Sequence, residues 1–169
     1  SVKIGSLKMA NPIGVASGIF GYGEEYEELV NIDELGALYT KAVTLEPREG
    51  NPAPRLVETP MGLINSIGLA NPGLECFLRE KLPLLRNYSC AIIANIAGST
   101  EDEYAMLIDG IEERLSLSEP LPKIGIDGYE INVSCPNVCE GGMSFGIDPV
   151  IVKRLTRSLR KRTDKPLIV

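Results

Sequence analysis

Asn132 and Cys135 stand three residues apart where the alternating run EINVS breaks into a Pro- and Gly-rich loop, PNVCEGG, and they are the first candidates for chemistry. An amide can hold a polar ligand. A thiolate can act as a base or a nucleophile, but a cysteine needs a neighbouring base or cation to become one. The chain contains no histidine to supply that help. Cys135 is therefore either a reactive group with some other kind of partner or a small apolar residue packed beneath a loop.

Three further places invite the same question. Lys41 lies within the apolar segment LYTKAVT, where an ammonium must pair, snorkel or function; an anion-stabilising role and an internal salt bridge both fit. The stretch NSIGLANPG, residues 65–73, offers side-chain amides and close backbone N–H groups to a small polar ligand, although the same residues also make ordinary turns. Ser17 and Asn95, like Lys41 and Asn132, fall at or near the C-terminal end of a strand-like run.

The elements that must position these groups alternate between strand and helix. Residues 12–17, 37–44, 90–96 and 128–134 read as strands, and KPLIV, residues 165–169, as the start of a fifth. Helical patterns occupy 24–30 and 73–82, the latter ended by Pro83. A third opens on the capping pair Thr100 and Glu103 and carries the stripe Tyr104, Leu107, Ile108, Ile111 and Leu115; a fourth opens on Asp148 and Pro149. Four βα units and a fifth strand predict a parallel sheet with helices outside it.

Two closures compete, an open doubly wound sheet and a (β/α)8 TIM barrel. A dinucleotide-binding first turn needs G-x-G-x-x-G, and the glycines at 18, 21 and 23 have the wrong spacing. Polar residues at the ends of four strands favour the barrel, whose functional groups converge at one mouth. A closed barrel takes about 250 residues, so the 169 residues are expected to supply about its first half, as one domain over residues 1–169. Period-two alternation turns Tyr129, Ile131 and Val133 to one face and Glu130, Asn132 and Ser134 to the other.

Composition narrows the function classes. A hydrophobic content of 44% predicts a packed core, and a net charge of −6 argues against a nucleic-acid surface. The basic run at 153–162 reads as the solvated face of a helix. No apolar run approaches the roughly 18 residues of a membrane span, and four cysteines without histidine suggest neither a disulfide scaffold nor a metal site. A reducing, cytoplasmic compartment is the expectation, with no membrane and no nucleic-acid partner.

The segments VASGIFGYG, TKAVTLEPREGNPAPRLVETPMGLINSIGLANPG, IIANIAGST and EINVSCPNV together resemble the dihydroorotate dehydrogenases, in order and over nearly the whole chain. Cys135 makes the resemblance one to class 1, since the membrane-bound class 2 enzymes carry serine there, and the 50–73 region looks most like class 1B, the NAD-linked form. The resemblance implies FMN at the mouth of a (β/α)8 barrel and oxidation of dihydroorotate to orotate in pyrimidine (UMP) biosynthesis.

By motif, the resemblance places Ser17, Lys41, Ala42, Asn95 and Asn132 at FMN. It places Lys41, Asn65, Ser66, Ile67, Gly68, Leu69 and Asn132 at the substrate, and makes Cys135 the catalytic base that takes the C5 proton while hydride leaves C6 for the flavin. It further implies a homodimer of catalytic subunits and an electron-transfer subunit carrying FAD and a 2Fe-2S iron–sulfur cluster. Family members continue past the equivalent of Val169 with FMN-phosphate loops, and the stretch 116–127 reads as a surface insertion. A related pyrimidine-reducing flavoenzyme and a non-catalytic half-barrel are the alternatives.

Overall fold

The computed structural model describes residues 1–117, 125–134 and 145–169. In chain order the strands are β1 (Val2–Ile4), β2 (Leu7–Met9), β3 (Gly14–Val15), β4 (Ala37–Tyr39), β5 (Leu56–Thr59), β6 (Gly62–Asn65), β7 (Ala91–Ile96), β8 (Gly128–Ile131) and β9 (Leu167–Ile168). The helices are α1 (Gly73–Cys76), α2 (Leu82–Leu85), α3 (Glu101–Ser116) and α4 (Pro149–Leu159). Strands β3, β4, β7, β8 and β9 pair in that order, every pair parallel. The hairpins β1–β2 and β5–β6 stand outside this sheet.

Period-two alternation gives the parallel sheet two different faces. Ile92, Ala94 and Ile96 of β7 and Tyr129 and Ile131 of β8 pack with Phe77, Leu107, Ile108, Ile111, Leu155 and Leu159 from the helices. The opposite face carries Ala37, Ala91 and Ile93, which pack with Leu7 and Met9 of the β1–β2 hairpin. Strands in sequential order, helices on one side and an apolar plug on the other make an arc of a barrel. The stripe read on α3 is buried as expected, and Thr100 caps that helix by accepting from the Glu103 N–H at 3.2 Å. Asp148 caps α4 by accepting from the Val150 N–H at 2.8 Å. The basic residues Lys153, Arg154, Arg157, Arg160, Lys161 and Arg162 are exposed. No helix among the described residues is long and apolar enough to cross a membrane.

Four expectations change. Residues 24–30 form only a 3-10 turn, Glu24–Tyr26, followed by further turns, so no helix makes the first crossover. Four glutamates within five positions repel at helical spacing. Their side chains are also drawn elsewhere, Glu24 to Lys81, Glu25 to the Tyr22 N–H and Glu27 to the Tyr88 hydroxyl. Second, Pro83 does not stop its helix. A π turn, Phe77–Lys81, joins α1 to α2, and Leu82 donates to the Phe77 carbonyl five residues back, so the proline ring enters where the ladder is already widened.

Third, β4 ends at Tyr39, and the chain from Thr40 to Val43 follows the sheet through single bonds only. Fourth, the long excursion between β4 and α1 contains the β5–β6 hairpin, whose Leu56, Val57, Met61, Leu63 and Ile64 are exposed. Part of the expected insertion at 116–127 lies outside the described residues: Ser116 closes α3, and Ile126 is already back in the core.

One polar knot fastens the outer layer. Glu112, midway along α3, accepts from the Tyr129 hydroxyl of β8 at 2.9 Å, from Thr163 at 2.6 Å and from Lys165 at 2.6 Å. Burial alone would raise its carboxyl, but the bonds from Lys165, Thr163 and Tyr129 outweigh that and hold it below the usual carboxylate range. Burial and the neighbouring Glu112 push the Tyr129 hydroxyl upward. A carboxyl depressed in the folded state contributes stability above its unfolded pKa and loses it as pH falls through the folded value. Glu112→Gln should therefore melt lower than the parent at pH 7, with the gap closing between about pH 5 and pH 3; melting curves across that range check it, and a gap independent of pH would contradict it.

Candidate active site at the carboxyl ends of the strands

The polar candidates meet on one rim because each lies at the C-terminal end of its strand or within two residues beyond it. Ser17 comes two residues after β3, Lys41 two after β4, Asn95 near the end of β7 and Asn132 immediately after β8. Single backbone bonds keep the rim in register. The N–H of Thr40 reaches the Ile93 carbonyl at 3.0 Å, that of Val43 reaches Asn95 at 2.9 Å, and that of Asn132 reaches Ile96 at 2.9 Å. Lys41 donates its N–H to the Gly21 carbonyl at 2.7 Å, which ties the loop after Ser17 to the same rim. The Tyr104 hydroxyl of α3 holds the Asn132 carbonyl at 2.7 Å, and the Asn132 side chain accepts from the Ser134 N–H at 3.3 Å.

Inside the rim the polarity is uneven. Asn95 is 2% exposed; its backbone N–H donates to the Thr40 hydroxyl oxygen at 3.1 Å and its side-chain amide donates to Glu130. Its Oδ1 is buried and has no hydrogen-bond partner among the described residues. A buried acceptor left unpaired costs on the order of 1–3 kcal/mol, which a ligand bearing an N–H would recover. Lys41 is half-buried and makes no ion pair among the described residues, so the internal salt bridge weighed for it is not there. Ala42 beside it is buried, a small side chain that leaves the rim open. Burial first, and then the charge of Glu130, raises the Tyr39 hydroxyl.

The loop at 65–69 has a definite polarity of its own. Asn65 ends β6, exposed and opposite Leu56. The Ser66 N–H donates to Arg55 at 2.8 Å, and the Ser66 hydroxyl and carbonyl both accept from the Asn51 side chain, at 2.8 and 3.2 Å. The Ile67 carbonyl accepts from the Asn51 N–H at 3.0 Å, and the Leu69 carbonyl from the Asn71 amide at 2.9 Å. The N–H groups of Ile67, Gly68 and Leu69 have no partner among the described residues. Gly68 and Leu69 both have positive φ, 74° and 59°. Leucine pays about 1–2 kcal/mol to sit there, so the surroundings must hold it.

Glu130, Thr40, Asn51 and Asn71 all support this site, and of these only Asn71 lies in a stretch, 65–73, singled out for it in the sequence. Glu130 was legible, since alternation puts it on the face of Asn132. The other three work through bonds between segments distant in sequence, which no local pattern encodes. A cavity of about 310 Å³ lies between the loops at Arg48, Glu49, Gly50, Asn51 and Gly68, and shares only Gly68 with the expected site. Cys135, the expected base, lies outside the described residues.

An arc of parallel strands with its polar and unpaired groups at the carboxyl ends defines half of a (β/α)8 barrel with a ligand site at the mouth. The family model described as "Dihydroorotate dehydrogenase" matches residues 1–169. The chain belongs to that family. It is similar to the dihydroorotate dehydrogenase B (NAD(+)) catalytic subunits of Thermoanaerobacter pseudethanolicus, 47% identical over 99% of this chain and 52% of the relative, and of Trichlorobacter lovleyi, 46% identical over 100% and 53%. Its fold is similar to that of an Eimeria tenella dihydroorotate dehydrogenase solved with ferulenol, at a TM-score of 0.64 and 20% identity, over 92% of this chain and 44% of that one. The chain spans about half the length of the curated relatives it matches.

A methyl group on Gly68 would meet the Asn51 nitrogen at 2.5 Å, at a φ that side chains rarely adopt. Gly68→Ala should therefore cost about 1–3 kcal/mol of stability through strain and the displaced loop. A melting curve that does not move would mean that the contact between the two loops is looser than these distances imply.

Proposed function

We propose that the complete protein is an FMN-dependent dihydroorotate dehydrogenase of the NAD-linked class, oxidising dihydroorotate to orotate in pyrimidine biosynthesis. The observation that carries this reading is the loop at 67–69, whose three backbone N–H groups, like the Lys41 cation of the rim, have no hydrogen-bond or ion-pair partner among the described residues. That combination suits a small, flat, anionic substrate with carbonyl edges. The family membership and the names of the relatives support it.

The residues also fit the flavin. The buried Asn95 Oδ1 is an acceptor in want of an N–H, the Lys41 ammonium can offset negative charge on a reduced ring, and Ser17, Ala42 and Asn132 complete the rim. Bound there, FMN would supply a two-electron acceptor. The chain's own groups would do the rest. Asn65, Ser66, Ile67, Gly68 and Leu69 would hold the substrate with Lys41 and Asn132, and Asn95 would be kept in its orientation by Glu130. Cys135 would take the C5 proton as a general base while the C6 hydrogen leaves with its electron pair, so that one carbon–carbon double bond forms as two C–H bonds break. Electrons would then pass to a partner subunit carrying FAD and a 2Fe-2S cluster and on to NAD⁺; catalytic subunits would pair as a homodimer.

The test uses the complete protein. It should be yellow as purified, and dihydroorotate should bleach the flavin anaerobically. A colourless protein would sink the flavin reading, and a yellow one that dihydroorotate does not bleach would point to another substrate. Cys135→Ala should keep its flavin and melt normally, yet bleach about 10²- to 10⁴-fold more slowly, as expected for loss of a positioned base. Bleaching at the parent rate would remove Cys135 from catalysis. Lys41→Ala should lower flavin content or slow its reduction, and if it does neither the cation has no part at the site.

A further inference from the structure

We propose that Asn71 is a positioning residue that sets the substrate loop at 65–69 against the strand end bearing Lys41; this rests on the function proposed above. Its side chain is buried, and all four of its hydrogen-bonding capacities are used. Oδ1 accepts from the backbone N–H of Gly73 at 2.9 Å and of Thr44 at 3.2 Å. Two fixed backbone donors leave no doubt about which end of the amide faces them. Nδ2 then donates to the Leu69 carbonyl and to the Thr44 hydroxyl oxygen, both at 2.9 Å. The single hydroxyl proton of Thr44 goes to the Glu46 carbonyl at 2.6 Å, so the oxygen is left to accept.

One amide therefore joins three pieces of chain. Thr44 lies three residues beyond Lys41 on the same strand extension; Leu69 is the last residue of the substrate loop; Gly73 opens α1. The backbone of Asn71 is fixed as well, exchanging both of its bonds with Arg48 at 2.9 Å. The bond to the Leu69 carbonyl falls on the one non-glycine residue with positive φ among the described residues, and it holds the end of the segment whose N–H groups, at 67–69, have no partner among the described residues. Releasing that carbonyl would let Leu69 relax toward the ordinary right-handed region and turn its N–H away. Asn71 touches neither substrate nor cofactor in this scheme. It makes the loop rigid at a distance from Lys41 fixed by Thr44.

Asn71→Asp is the discriminating substitution in the complete holoenzyme. It is isosteric and keeps both backbone N–H bonds to Oδ1, but it puts a carboxylate oxygen against the Leu69 carbonyl where an amide donor stood. Flavin content should stay at the parent level. The orotate dissociation constant, read from perturbation of the flavin spectrum, should rise about tenfold to a hundredfold, and KM for dihydroorotate should rise with it, while kcat stays within about threefold, as for loss of binding shared by ground and transition states. Thr44→Val, which spares the backbone bonds and removes the hydroxyl that accepts from Asn71 and donates to the Glu46 carbonyl, should weaken orotate by a smaller factor of about three to ten. This second variant keeps the test open if the first does not fold.

A merely structural Asn71 predicts something else: a lower melting temperature with orotate affinity per flavin-loaded enzyme unchanged in both variants. That result would overturn the positioning role while leaving the proposed function intact. If the parent holoenzyme itself fails to bind orotate, the proposed function falls, and the positioning role falls with it.

Discussion

Parallel strands with a side-chain period of two impose the constraint on which everything else in this molecule depends. On β7 a side chain faces either the helices or the interior of the arc, and neighbours along the strand must take opposite sides. Ile92, Ala94 and Ile96 go to the helices, so Ala91, Ile93 and Asn95 go inside. Parallel pairing then aligns every strand in the same direction, which brings all the C-terminal ends to one rim. A one-residue slip of β7 would put Ala94 or Ile96 where Asn95 belongs and send the amide under the helices.

That interior is graded from apolar to polar along the strands. At the amino ends Leu7 and Met9 of the first hairpin close it against Ala37, Ala91 and Ile93. At the carboxyl ends stand Asn95 and Glu130, bonded to each other across β7 and β8. Burying an amide and a carboxylate is costly unless they are paired, and here the pairing is incomplete, because the Asn95 oxygen has no partner among the described residues. The outer layer shows the opposite policy. Glu112 is fully engaged by Tyr129, Thr163 and Lys165, and it binds α3 to the strands it covers. Complete satisfaction stabilises the layer behind the sheet, whereas the interior amide keeps one acceptor unpaired among the described residues.

The loop at 65–69 shows a division of labour of its own. Asn51 and Asn71 bind the carbonyls of Ser66, Ile67 and Leu69, and the N–H groups of residues 67–69 have no partner among the described residues. Gly50 and Gly68 permit the approach, since a methyl group at either would meet backbone atoms at 2.3 and 2.5 Å. The loop is therefore held by its acceptors and presents its donors.

Patterning alone determined the βα order, the inward face of β8, the stripe and cap of α3, the cap of α4 and the strand-end placement of Lys41, Asn95 and Asn132. These features are local: each depends on spacing of two or about 3.6 residues, on a cap, or on a strand's end, and all of that is written in neighbouring residues. The tertiary structure decided what depends on distant partners. Glutamates at 24–28 gave up a helix because Lys81 and Tyr88 lay within reach. Pro83 stayed inside a helix because a π turn made room for it. The hairpin at Leu56–Asn65 needed its own pairing before it could be seen within a Pro- and Gly-rich excursion. Asn71 read as a turn residue until Thr44, Leu69 and Gly73 came together around its amide, because a hydrogen-bond network joining segments 27 residues apart leaves no periodic trace in the chain.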